Sequence, residues 1–289
     1  MSFSFPISAD MIDYGTTLLA IIAGTLIPAY LALFIIPRLK PIQTAVLAAA
    51  GVGLTFWFFF DTMGDAAAIG VNSAIYPFSS FGGAAHFAII AVFLGGIAVL
   101  AIIDHFAVPD SKFESGQKSV SGAKSKTLIL VPITVAAVMG IHGLGEGWDF
   151  GSAAASSTGS LVDAFGGWNA VISYPLHKFF ESSIIALVYT CYVGRTELAQ
   201  KAKWHLPVLG LFFGLTSVIG TSLGYYISVD TTYFYAFGVT SAFYAAIRLA
   251  EAMSDKFAIG INAPAYLGGK KFLALAIGFM LLYIAALFH

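Results

Sequence analysis

Eight long apolar runs separated by short polar breaks set the pattern of this chain. They cover roughly residues 14–37, 41–60, 84–106, 127–151, 168–193, 205–227, 232–254 and 270–288. Each is long enough, at about 20 residues and 1.5 Å per residue, to cross about 30 Å of hydrocarbon as an α-helix. Breaks fall at Arg38-Leu39-Lys40-Pro41, the Gly/Ser/Pro-containing 64–83, the Lys/Ser/Gly segment 107–126 and the Ser/Gly-rich 152–167. The others are Arg195 to Lys203, the Val-Asp-Thr-Thr turn near Asp230, and 255–271. Backbone polar groups in lipid must be satisfied within the segment, and these runs are too long and too evenly apolar for barrel strands. The pattern therefore predicts an all-α polytopic membrane protein, one transmembrane domain over residues 1–289 with eight spans.

Composition agrees. Hydrophobic residues make up 58% and charged residues 10% of the 289, with a mean hydropathy of +0.87, whereas a soluble domain carries about 25% charged residues. A core of this size could not hide that much apolar surface. The net charge of −1 comes with no basic patch, so nucleic acid is not an expected partner. The single Cys191 excludes an internal disulfide and a cysteine-based metal cluster, and is expected to pack as a small apolar residue. The opening MSFSFPISADMIDYG lacks the basic region and cleavage site of a signal peptide, so the first run is expected to remain a span.

Charge then orients the bundle. Of the 14 Lys and Arg residues, 12 lie after runs 1, 3, 5 and 7: Arg38, Lys40, Lys112, Lys118, Lys124, Lys126, Arg195, Lys201, Lys203, Lys256, Lys270 and Lys271. By the positive-inside rule those loops, including the long loop 107–126, are cytoplasmic, and both termini lie outside. The plasma (cytoplasmic) membrane is the expected location, with lipid as surroundings. The other two, Lys178 and Arg248, stand within runs 5 and 7. Ionisable groups at such depth are costly unless paired, and they mark ligand sites or pathways. Arg248 and Glu251 are three apart, which predicts a local ion pair near the cytoplasmic end.

The chemistry concentrates in runs 4 and 5. Both carry a His and a Glu four residues apart, His142 and Glu146 in the first, His177 and Glu181 in the second. On a helix that spacing puts the two side chains on one face, one turn apart. Two such faces turned together would offer two imidazoles and two carboxylates to a single divalent cation of the Zn²⁺ type. The cation would in turn neutralise the carboxylates. Gly140, Gly143, Gly145 and Gly147 strip side chains from run 4 beside the site, as a loosened helix or a close neighbour requires. Lys178 points about 100° away from His177 and can lie beside the carboxylate of Glu146 or Glu181. At the ends of the runs, Asp61 and Asp65 outside, and Asp104 with His105 inside, are candidates for entry or exit. His86 and His205 read as interfacial, and His289 is the chain terminus. Gly214, Gly220, Gly224, Gly238 and Gly278 read as helix-packing positions.

These motifs give the chain its likeness. Span 4, IHGLGEGWDFG, resembles the His-Asn-x-x-Asp/Glu-Gly helix of the ZIP (Zrt/Irt-like) divalent-metal transporters. Span 5, LHKFFES, resembles that family's His-Glu-x-x-His/Glu helix in the variant with Lys after the first His. YAFGVTSAFYAAIRLAEA and GFMLLYIAALFH are similar to the flanking spans, so the likeness runs over nearly the whole chain, with its specificity in spans 4 and 5. The resemblance implies a 3+2+3 bundle with inverted repeats, and His142, Glu146, His177 and Glu181 as ligands of the main transport site. It also implies that a neighbouring second metal site is lost, since Gly143 replaces its Asn and Lys178 its acidic residue, leaving one metal. The loop 107–126 lacks the histidines many members carry there, which removes that route to metal sensing.

Function is therefore expected to be transport of a divalent cation, zinc first and iron or manganese next, toward the cytoplasm. No prosthetic group, no enzymatic activity and no ATP-binding P-loop are expected. A homodimer or larger membrane complex is compatible with this. Two alternatives stay open: a ZIP-like subunit of a complex that no longer transports, and an intramembrane metalloenzyme with Asp149 as base.

Overall fold

The structure is a computed structural model that describes residues 9–67, 84–107, 128–156, 168–194, 196–254 and 269–286. Among the described residues there is no β-strand. Eight long helices follow the apolar runs: α1 (Ala9–Ile35), α2 (Pro41–Ala67), α3 (Ala84–Ala107), α4 (Leu130–Ser156), α5 (Trp168–Tyr192), α6 (Ala202–Tyr226), α7 (Thr232–Ser254) and α8 (Gly269–Ala286). Single 3-10 turns sit at Ile36–Arg38 and Glu197–Lys201. The second run was expected to stop at residue 60, but α2 continues to Ala67, so Asp61 lies within the helix rather than at its end. Of the expected loop 107–126, all but Ala107 lies outside the described residues.

The bundle is organised inside out relative to a soluble protein. Leu19, Phe34, Phe60, Leu94, Ile102, Trp204, Val208 and Phe272 point outward, while His142, His177, Lys178, Glu181 and Arg248 are buried. Such a surface is stable only against an apolar surrounding. Segments Leu18–Arg38, Ile42–Thr62, Leu130–Ser156 and Glu197–Tyr226 are long and apolar enough to cross a membrane, which points to an integral membrane protein.

A dry interior must satisfy its hydroxyls locally, and here they bond back to the helix that carries them. Thr55, Thr62, Thr190 and Thr221 each donate to a carbonyl three or four residues earlier. Fewer polar bonds cross between helices. Ser182 Oγ donates to the Thr25 carbonyl (2.5 Å) and Ser152 Oγ to that of Gly224 (3.1 Å). Cys191 is buried among the apolar residues of the main core, as expected.

Helix α5 is central, packing on α1, α2, α4, α6, α7 and α8. The most extensive pairs are α4 with α6 and α2 with α7. Part of the packing repeats under an exchange of helices, while the α5–α6, α5–α7 and α2–α3 contacts have no counterpart as extensive. Exchanging α1 with α6, α2 with α7, α3 with α8 and α4 with α5 turns α1–α5 into α6–α4, α2–α8 into α7–α3, and α2–α5 into α7–α4, all observed pairs. Glycines permit the closest approach. A side chain at Gly220 of α6 would run into the Leu144 carbonyl and the Trp148 nitrogen of α4. One at Gly147 of α4 would meet the Ser217 carbonyl of α6. Helix α4 is unbroken through Gly140, Gly143, Gly145 and Gly147, so these glycines accommodate neighbouring helices and do not loosen their own.

Candidate metal centre

Helices α4 and α5 turn their His/Glu faces toward each other. His142 Nε2 lies 3.3 Å from Glu146 Oε2, one turn along α4, and 3.3 Å from Glu181 Oε1 across on α5. His177 Nε2 lies 3.5 Å from Glu181 Oε1 and 3.6 Å from Glu146 Oε1. The two helix-borne pairs thus interlock, each imidazole reaching the carboxylate of its own helix and that of the other. A tetrahedron of N and O ligands at about 2.0–2.1 Å from a metal has edges of about 3.3–3.4 Å. The four separations lie close to that length. His142, Glu146 and Glu181 each offer a ligand atom within 4.8 Å of the others, while His177 stands at the edge of this group, close to both carboxylates.

Both ring nitrogens of His142 and Glu181 Oε1 are buried and make no hydrogen bond to another protein group. Buried polar atoms rarely go unbonded; His142 Nε2 and Glu181 Oε1 face each other at 3.3 Å, where a cation would satisfy both, whereas Nδ1 faces Gly238. The donor chemistry and its spacing fit a divalent cation.

Lys178 closes the other side of the cluster. Its ammonium forms an ion pair with Glu146 and another, at 2.7 Å, with Glu181 Oε2. Expected beside one carboxylate or the other, it bridges both. Glu181 therefore divides its oxygens, Oε1 toward the imidazoles and Oε2 toward the ammonium. The Tyr174 and Phe213 rings flank Lys178 Nζ at 5.4 and 5.1 Å, within range of cation–π attraction. Tyr174 stacks in turn on Phe150. Lys178 and Glu181 are fully buried.

Helices α2 and α7 complete the walls around the imidazoles. Phe58 and Tyr235 present ring edges to His142 at 5.0 and 5.4 Å between centroids. Tyr235 is anchored by donating to Asp149 Oδ2 (2.7 Å), and Thr231 donates to the same carboxylate. That places Asp149 as a strut between α4 and α7. A Cβ on Gly238 would stand 2.5 Å from His142 Nδ1, so glycine at that position lets the ring lie flat against α7.

Asp61, an entry or exit candidate, reaches the cluster itself: its Oδ2 is 3.8 Å from His177 Nε2. Side-chain exposure falls from 34% at Asp61 to 13% at Glu146 and 0% at Glu181, so the cluster opens on the α2 side. The side chains of Asp65 and His86, and His289, lie outside the described residues. Asp104 and His105 sit on α3, where Asp104 belongs to a different cluster. Arg248 ion-pairs with Asp104 and, at 2.5 Å, with Glu251. Tyr244 donates to Asp104 (2.8 Å), and Tyr192 of α5 donates to the Arg248 carbonyl (3.0 Å). The local pair foreseen at positions 248 and 251 thus has a third member, 144 residues away in sequence, for which periodicity gave no signal. His205 Nδ1 meets the Tyr189 hydroxyl at 3.0 Å. No family model matches the chain, and no curated protein matches it.

Proposed function

We propose that this chain is a membrane transporter that carries one divalent cation at a time, zinc first and iron or manganese next, toward the cytoplasm. The observation that carries the reading is the meeting of ligand atoms of His142, Glu146 and Glu181 within 4.8 Å of one another, with His177 beside both carboxylates and with Glu181 Oε1 and His142 Nε2 buried without a hydrogen bond. Such a set fits a borderline cation, and its place in the middle of the bundle fits passage rather than storage at a surface.

In this proposal all eight helices span; even α8, with 18 residues, reaches about 27 Å. The asymmetry of Lys and Arg puts both termini outside and the loops after α1, α3, α5 and α7 in the cytoplasm. The exchange symmetry of the helix contacts supports inverted repeats, α1–α3 against α6–α8 around α4 and α5. Each exchange pairs an odd-numbered with an even-numbered helix, which in an up-and-down bundle reverses direction. Together with the resemblance of IHGLGEG and LHKFFES, this supports a ZIP-like carrier that exposes its site to each side in turn.

Lys178 sets the stoichiometry. An ammonium already seated on both carboxylates occupies the ground a second cation would need, so one metal is bound. The same ion pairs favour a second reading, a ZIP-like subunit that holds metal but does not move it. Zn²⁺ uptake into proteoliposomes separates the two. Uptake by the wild type that falls at least tenfold in Glu181→Ala is expected for the carrier, since removing a ligand leaves Lys178 buried with one partner fewer. Equal uptake by the variant overturns the carrier; bound metal without uptake in the wild type selects the subunit.

A further inference from the structure

The charges in the cluster do not balance when a divalent cation is added, and one further residue corrects the sum. Glu146 and Glu181 contribute two negative charges, and Lys178, paired with both, returns one positive. A dication between neutral imidazoles would then leave the buried group at +1. Charge imbalance in a low-dielectric interior is penalised far more than at a surface. The missing anion is within reach. Asp61 Oδ2 lies 3.8 Å from His177 Nε2, with about a third of its side chain exposed where Lys178 is fully buried.

We propose that Asp61 is the third acidic member of the cation site, neutralising the charge that Lys178 introduces. This rests on the reading of the cluster as a divalent-metal site. Glu181 Oε1, buried and without a hydrogen bond, lies 3.5 Å from the same His177 Nε2 that Asp61 approaches, which points independently to a ligand there. Lys178 and Asp61 are then a linked pair of opposite charges beside one ion. The ammonium blocks a second metal, and the aspartate keeps the first one affordable to bind.

A charge-balancing role differs from an attracting one in depending on Lys178. The test measures Zn²⁺ binding isotherms on the full chain in nanodiscs for the wild type, Asp61→Asn, Asp61→Glu, Lys178→Met and the double variant Asp61→Asn/Lys178→Met. Asp61→Asn is expected to weaken binding about tenfold or more, as loss of a close charge partner does. Asp61→Glu keeps the charge and should stay near the wild type. In the Lys178→Met background, where Glu146 and Glu181 alone balance the ion, Asp61→Asn should change the constant by no more than about twofold. An equal loss in both backgrounds, or none in the wild-type background, overturns the pairing while leaving the metal site in place. A wild type that binds no Zn²⁺ overturns the metal reading, and this inference with it.

Discussion

Glu181 and Lys178 illustrate how much one residue position carries in this interior. The carboxylate serves imidazoles with one oxygen and the ammonium with the other, while two aromatic rings limit where the ammonium can go. His142 is held more tightly still, between Phe58, Tyr235 and Gly238. Gly238→Ala puts a methyl group 2.8 Å from the ring Cγ and 2.9 Å from Thr62 Cγ2, so the imidazole must shift. That substitution should cost about 1–3 kcal/mol in stability. It should also weaken Zn²⁺ binding by tenfold or more, because a displaced ligand loses geometry that tetrahedral coordination demands. Thermal denaturation and a binding isotherm on the same sample check both parts. The His-x-x-x-Glu pairs were legible in the sequence because helical period alone fixes their face. Asp61 was legible only as an acidic group near the site, since its approach to His177 depends on how α2 packs on α5 and on α2 running past residue 60. The Asp104–Arg248 pair was not legible at all.

At the scale of elements, hydropathy marked where helices run, because lipid leaves the backbone no other solution. It did not say which helices touch. The glycines of α4 allowed two readings, and each has a close neighbour: the α6 backbone at Gly147, α6 side chains at Gly140 and Gly143, and Phe234 of α7 at Gly145. A side chain at Gly220 has no room against Leu144 and Trp148, whereas one at Gly95 of α3 meets nothing within 4 Å. Gly220→Leu should therefore part α4 from α6 and lower the thermal midpoint clearly, taking metal binding with it because α4 carries His142 and Glu146. Gly95→Leu should leave both unchanged. Thermal unfolding in detergent, followed with and without Zn²⁺, reads the contrast; equal behaviour of the two variants would contradict the packing.

At the scale of the whole molecule, and among the described residues, an apolar exterior encloses charged groups that include the His/Glu/Lys cluster between α4 and α5 and the Asp104–Arg248–Glu251 group joining α3 to α7. Overall composition foretold an apolar, membrane-type exterior, whereas which helices touch emerged only from their contacts. The central claim is that four side chains from two helices hold a single cation. Metal content per protein, measured after loading the purified chain with Zn²⁺ and brief desalting, tests it most directly. The account predicts about one equivalent in the wild type and none in the double variant His177→Ala/Glu181→Ala. Two equivalents in the wild type would contradict the role given to Lys178, and equal metal in wild type and variant would contradict the site itself.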